Sequence, residues 1–494
     1  MERKWWALGA MVMSFLVIGF DTTILNVALP TMADQLGATT GQQQWMADSY
    51  IVVFAALMLP AGLLGDRFGR RKMLIAGLAI FLAGSVVGAF STSVEPVIAA
   101  RAFMGIGAAL IMPLALAVVP TMFEPQEQSK AMGIITAASG LGMPLGPIIG
   151  GWLLNHFWWG SIFVINVPMA AIGIVACVLL LPETRDPAAP KVDLLSTALT
   201  TTGLAALIFG IIEASERSWG DPLVVSMLAG SVVLIAALVV RERRMVRPML
   251  DLKLLAHRPF LLNTLAATLT MFVLSGLMFV LTPYLSAVLG NDAFGTGLRM
   301  LPMMAGLTVA AKASAPLLRK FGSRAVISGG LVVLAAGTLL GATTGVDDGY
   351  GFAAVWLTVV GFGFGFAMVP AMTSAIGALP RDQAGSGSGL LSTVRQTGAA
   401  LGVALLGSLI AGAYAGRLPD GAPEAAKDSV VGAHLLGDAG LARAADAAYL
   451  HGMSVALIVC GVAALVTAVL ALLMLPAKQA PAAAEVLAPA PVDA

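Results

Sequence analysis

Gly62-Leu-Leu-Gly-Asp-Arg-Phe-Gly-Arg-Arg-Lys72 lies between two long apolar stretches, and its reading decides the fold. One acid, four cations and three glycines are compressed into a reversal that two apolar helices must share. Glycine lets helix ends approach closely, and Gly69 can take the positive φ of a tight turn. Asp66 can accept hydrogen bonds from Arg67, Arg70 or the orphan amides that open the next helix. A basic loop that serves only to hold one side of a membrane needs no such order. The pattern G-x-L-x-D-R-x-G-R-R therefore points to a built contact between helix ends.

The rest of the chain fits a membrane. Apolar residues make up 58% of the 494 and charged residues only 11%, where soluble domains carry about a quarter charged. Mean hydropathy is +0.90. A soluble fold could not bury so much apolar surface, so the expectation is an all-α polytopic membrane protein. Cys177 and Cys460 both lie in apolar runs and read as small hydrophobes. No metal-ligand cluster, phosphate-cradling loop or nucleophile triad is present in the sequence, which argues against an enzyme. Gly361-Phe-Gly-Phe-Gly365 reads as close helix packing.

Apolar runs of about twenty residues number about fourteen. They begin with 5–30, 45–65, 72–91, 95–119, 131–155 and 160–182, continue through 193–213 and 222–240, and end with 260–283, 295–317, 325–343, 352–376, 386–413 and 449–475. Placing the N-terminus inside puts Arg67, Arg70, Arg71, Lys72, Arg241, Arg243, Arg244 and Arg381 on inner connections. The outer connections then hold only Arg217, Arg417, Lys427 and Arg443. That bias supports an even span count and cytoplasmic termini. The N-terminal run is too long for a signal-peptide core and is expected to stay as the first span. The division is 1–185 as a first six-helix bundle, 186–258 as two accessory helices with a basic linker, and 259–478 as a second bundle with a long outer loop at 414–448. An Ala/Pro-rich tail, 479–494, is expected to be disordered. Pro316-Leu-Leu-Arg-Lys-Phe-Gly-Ser-Arg324 faintly repeats the opening hairpin, as tandem-bundle transporters do.

These stretches together resemble the major facilitator superfamily. Arg101-Ala-Phe-Met-Gly-Ile-Gly-Ala-Ala109 is similar to its fourth-span pattern. Gly142-Met-Pro-Leu-Gly-Pro-Ile-Ile-Gly-Gly151 resembles the fifth-span motif of its drug:proton antiporters. Asp21-Thr-Thr-Ile-Leu-Asn-Val-Ala-Leu-Pro30, Trp45-Met-Ala-Asp-Ser-Tyr50 and Arg395-Gln-Thr-Gly-Ala-Ala400 resemble stretches of the fourteen-span EmrB/QacA type. The resemblance covers nearly the whole chain. It implies two six-helix bundles about a central cavity, with 193–213 and 222–240 as extra spans between them.

On that resemblance, Asp21, Asp48 and Arg101 are the expected proton-coupling residues, with Asp21 the main carrier. An ionised carboxylate in hydrocarbon needs a partner, water or a proton. Asp21 is placed about 14 Å below the outer end of its span, at 1.5 Å per residue, and Asp48 closer to the surface, where it could be hydrated. Gly62, Asp66, Arg67, Gly69, Arg70 and Arg71 are expected to form a cytoplasmic latch, intact when the protein faces outward. Pro147 should bend span five, while Gly142, Gly146, Gly150 and Gly151 allow tight packing; the resemblance implies that this seal favours exchange over symport. Asn26, Tyr50, Arg395 and Gln396 are possible cavity-lining residues. Met271, Phe272, Met278 and Phe279 read mostly as core or lipid-facing, with a few of them expected to offer a soft, adaptable drug surface that sequence alone does not pick out.

The expected function is export of amphipathic, cationic or bulky aromatic drug-like compounds from a bacterial plasma membrane, driven by proton exchange. No cofactor beyond the proton motive force and no nucleic acid is expected, and a monomer in contact with lipid is. The alternatives are a dedicated exporter of one endogenous metabolite or self-made antibiotic, and a non-transporting sensor with the same fold.

Overall fold

In a bilayer core no water is available to backbone amides and carbonyls, so apolar runs of this length fold as helices. A computed structural model describes residues 3–123, 127, 131, 134, 145–185, 193–245, 248, 252–379, 384–419 and 421–475. Every regular element among them is helical.

The first half comprises α1 (Arg3–Leu36), α2 (Thr40–Phe68), α3 (Arg70–Ala89) and α4 (Val94–Met122). It continues with α5 (helical over 145–156), α6 (Ser161–Val164) and α7 (Asn166–Leu180). A capping box between Thr39 and Gln42 opens α2, satisfying two amides that the helix itself cannot. Next come α8 (Leu194–Glu216) and α9 (Pro222–Arg244), whose N-caps are Asp193 and Asp221. The second half is α10 (Arg258–Pro283), α11 (Ala293–Arg299), α12 (Leu301–Gly341), α13 (Tyr350–Gly377) and α14 (Ala384–Ala415), then α15 (Glu424–Asp428), α16 (Val430–Leu435) and α17 (Ala439–Met474). Eleven of the described helical stretches are long and apolar enough to cross a membrane. The bent pair within α2 makes a twelfth when taken as one span.

Helices α1 to α4 and α7 pack around one buried apolar core, and α10, α12, α13, α14 and α17 around another. The hairpin of α8 and α9 stands outside both. Leu204, Ile208, Ile211 and Ile212 of α8 pack on Val52 and Ala56 of α2 and on Ala400 and Ala404 of α14. Ser408 Oγ of α14 donates to the Ile211 carbonyl at 2.9 Å. Thus α8 lies along the seam where the bundles meet, while α9 turns Val225, Val232, Val233 and Val240 outward. One end of the hairpin is tied by Arg241 to Asp193, 2.9 Å apart. That hydrogen-bonded guanidinium pulls the Asp193 carboxyl down to about 2.

Several boundaries differ from the sequence reading. α1 does not stop at Pro30 but runs to Leu36, because Met32 and Ala33 are still buried against the bundle and proline forfeits only one intrahelical bond. Asp21 is then 15 residues from the helix end, a depth of about 22 Å. The expected tenth span divides into α11 and α12 at Met300. Gly322 (φ 80°, ψ 165°) interrupts α12 in the stretch that echoes the first hairpin, where Gly69 also has positive φ, 112°. The outer connection 414–448 is largely helical: it contains α15 and α16, and α17 already starts at Ala439. The tail lies outside the described residues.

Candidate functional site

Between the bundles lies a cavity of about 240 Å³, lined by α1, α2 and α4 on one side and α10, α12 and α14 on the other. Its wall is mostly apolar: Phe15, Phe54, Met112, Met271, Met278 and Met304 contribute, and Asn26, Ser275 and Gln396 add neutral polar groups. Met271 and Met278 thus face the cavity. Phe279 is buried at the contact between the halves, and the Phe272 backbone lies against Gly402 of α14. The charged side chains on the wall are Arg101 and Arg395.

The two arginines have different surroundings. Arg101 is 1% exposed and forms an ion pair with Asp21, itself 3% exposed. Arg101 Nε also donates to the Met46 carbonyl at 3.1 Å, and its guanidinium carbon sits 4.3 Å from the Tyr50 ring centroid. The other Asp21 oxygen accepts from Asn166 Nδ2 at 3.0 Å. Three helices, α1, α4 and α7, therefore contribute side chains to one closed polar cluster beside the cavity. Buried charges persist when they are paired and hydrogen-bonded in this way. Asp21 does not touch the cavity directly; Arg101 lies between them. Asn166 was not among the residues singled out, since an asparagine at the start of a span gives no signal without its neighbour in space.

Arg395 has no such cluster. Its Nη1 approaches the Met372 sulfur at 3.4 Å, and its Nε has no partner. No acidic side chain pairs with it among the described residues.

Asp48 departs from its expected hydrated position. It is fully buried, and neither carboxylate oxygen has a hydrogen-bond partner. Gln44 and Val52, one turn to either side of it, mark the face it occupies. Gln44 Nε2 donates to the Val403 and Ala404 carbonyls of α14 at 3.2 and 2.9 Å, and Val52 packs in the cluster shared with α8. Asp48 is thus set at the α2–α8–α14 junction rather than on the cavity wall. α2 starts at Thr40 instead of residue 45, which places the aspartate deeper than expected.

The residues of the opening hairpin join α2 and α3 to α4 and to the segment after α7. Arg70 pairs with Asp66 at 2.8 Å and donates to the Ala117 carbonyl at 3.0 Å. Arg71 donates through its amide to Glu183 at 3.2 Å and through Nη1 to the Leu181 carbonyl at 3.1 Å. The Glu183 carboxylate lies against Gly69 where any Cβ would overlap it. Arg67 is exposed over the Phe68 ring. Gly62 has room for a side chain, whereas Gly65 lies tightly against Leu114. Glu183 and Gly65 are therefore members of the contact that the motif alone did not single out.

Of the fifth-span motif, Gly142 lies outside the described residues. Gly146 and Gly150 bring α5 against Thr23 and Ile24 of α1. The Pro147 carbonyl meets Gly297, and Gly151 meets Ala293 and Phe294, all in α11. Thr40 Oγ1 donates to the Asp428 carbonyl at 2.8 Å. These bonds, and those of Gln44, join the halves at the end where α1 finishes and α2 begins.

Residues 11–403 match the sequence profile described as Major Facilitator Superfamily. The chain is 34% identical over 427 residues to a puromycin resistance protein of Streptomyces alboniger, covering 85% of this chain and 84% of that one. It is 35% identical over 423 residues to a probable actinorhodin transporter of Streptomyces coelicolor, covering 83% and 73%. A solved bacterial homologue of the human lysosomal transporter Spinster, inward-facing and unoccupied, aligns over 98% of this chain and 100% of its own, with TM-score 0.71 and 18% identity. The last likeness concerns the fold alone.

Proposed function

Because this chain belongs to the major facilitator superfamily, and is a multi-pass membrane transporter rather than an enzyme, we propose that it exports drug-like small molecules in exchange for protons. The reading is supported by the resistance and transport functions for which its relatives are named. The single observation that carries the proton half is Asp21, enclosed by Arg101 and Asn166 next to a central cavity.

Alternating access supplies the mechanism. The halves are bonded at the end that the cation bias assigns to the outside, which supports an inward-facing arrangement with the termini in the cytoplasm. A proton placed on Asp21 dissolves its ion pair, leaving Arg101 with the Met46 carbonyl, the Tyr50 ring and the cavity. Its charge then acts on whatever the cavity holds, and the two bundles exchange one packing for the other. Each charge moved across the membrane contributes about 2.3 kcal/mol per 100 mV, enough to shift a binding equilibrium more than tenfold. Asp48 is the second proton candidate, placed to act on the seam between the bundles. The Asp66–Arg70 pair is made within the first bundle here, so a latch that joins the two bundles through this hairpin belongs to the outward-facing state.

The fourteen-span EmrB/QacA type is part of this proposal. Counting α12 as two spans across Gly322, and the apolar run 131–155 of the sequence as one, gives that number. Residues 1–185 and 259–478 are then the moving bundles, with α8 and α9 between them.

Proteoliposomes loaded with a fluorescent substrate and given an imposed pH gradient test the carrier. Asp21→Asn is expected to abolish accumulation against the gradient while leaving downhill movement. Wild-type uphill rates in that variant would falsify Asp21 as the carrier. A narrow export profile would favour the dedicated exporter of one self-made compound, a reading supported by the single-compound names of both relatives.

A further inference from the structure

We infer that the central cavity selects flat, largely apolar compounds carrying an acidic oxygen, and that Arg395 is the residue that recognises that oxygen. This rests on the cavity being the substrate site, as proposed above.

The argument is one of charge balance. Among the described residues, two cationic side chains line the wall and no carboxylate does. Arg101 is already neutralised by Asp21. Arg395 faces the same space with a thioether as its contact and an unpartnered Nε. The wall therefore carries one uncompensated positive charge in an apolar setting. An anionic oxygen that accepts from a guanidinium facing an apolar cavity supplies the counter-charge it lacks. The η nitrogens at the end of the guanidinium supply donors suited to a carboxylate or to the oxygen of an ionised phenol. Gln396 follows Arg395 on α14 and gives the same side of the cavity a neutral donor.

The remaining wall suits the rest of such a molecule. Phe15 and Phe54 offer flat apolar faces, and four methionines offer polarisable side chains that conform to ring systems of varied outline. A cationic drug would find no acid among the described wall residues and would meet the field of Arg395. Of the classes expected from sequence, the bulky aromatic one suits this cavity and the cationic one does not. Sequence could not decide between them, because it does not show that Asp21 and Asp48 stand off the cavity wall.

Two dyes with the same xanthene core, fluorescein as the anion and rhodamine 6G as the cation, test the proposal. Their equilibrium binding to the purified full-length protein in detergent is read by fluorescence anisotropy at constant pH. No gradient is present, so the result does not depend on proton coupling, and failure of the Asp21→Asn test would leave it standing. The wild type should bind fluorescein at least about tenfold more tightly than rhodamine 6G, the effect of one charge-assisted hydrogen bond. Arg395→Gln should erase that preference and Arg395→Glu should reverse it. Arg395→Lys should retain it in part, showing that charge is needed and that the variants fold. Equal or tighter binding of rhodamine 6G to the wild type, binding of neither dye, or a preference unchanged in Arg395→Gln overturns the proposal.

Discussion

The first bundle holds its buried arginine within a closed circle of partners, while the second leaves its own open to the cavity. Arg101 has a carboxylate, a backbone carbonyl and an aromatic face. Arg395 has a methionine sulfur. The same residue type serves two different ends. A fully paired charge fixes one arrangement of helices, which on the proposed mechanism a proton releases. An unpaired charge contributes little to the resting fold but is available to a ligand. The difference shows why a mid-membrane arginine cannot be assigned a role from its depth alone.

Removing each charge tests that contrast most directly. Arg101→Met should strand Asp21 and lower stability by about 3–5 kcal/mol, whereas Arg395→Met strands nothing and should change it by less than about 1 kcal/mol. Thermal unfolding in detergent, followed by tryptophan fluorescence, reads both. Combining Arg101→Met with Asp21→Leu should recover most of the loss, because a well-packed apolar pair replaces the ionic one. Comparable losses from the two single variants would erase the distinction.

The aromatic face is the next probe. Tyr50→Leu should cost about 2 kcal/mol through the lost cation–π contact and packing. Tyr50→Phe keeps the ring and removes a hydroxyl that already lacks a partner, so its unfolding midpoint should match the wild type.

A third arginine sets the lower bound. The Arg241–Asp193 pair is partly exposed, and such pairs contribute about 0–1 kcal/mol, so Asp193→Asn should be nearly silent. The sign of its pH effect is fixed. Because the carboxyl is lowered from 3.8 to about 2, its contribution is complete above the higher value and fades as pH falls toward the lower. Unfolding midpoints of wild type and Asp193→Asn should therefore keep a constant offset between about pH 5 and pH 8.

Much of this molecule was legible in its sequence, for reasons that are physical. A run of twenty apolar residues has few folding options in a bilayer, and the order of acid, cation and glycine at 62–72 dictated a tight helix turn. Asp21 and Arg101 could be singled out because charge in an apolar run is conspicuous. What escaped was direction and company. Asp48 is equally conspicuous, yet only the path of α2 shows that it faces α8 and α14 rather than the cavity. Asn166 and Glu183 matter through partners more than a hundred residues away. The continuation of α1 past Pro30 depended on what the next turn could bury, which no local pattern records.

Laying α8 across the groove between α2 and α14 has a consequence for traffic. An oily compound dissolved in the surrounding leaflet is denied a sideways door there, since it would have to lift a helix held by leucines, isoleucines and the Ser408 hydrogen bond. On that flank the added hairpin acts as a fixed wall, along which the two bundles must slide rather than part.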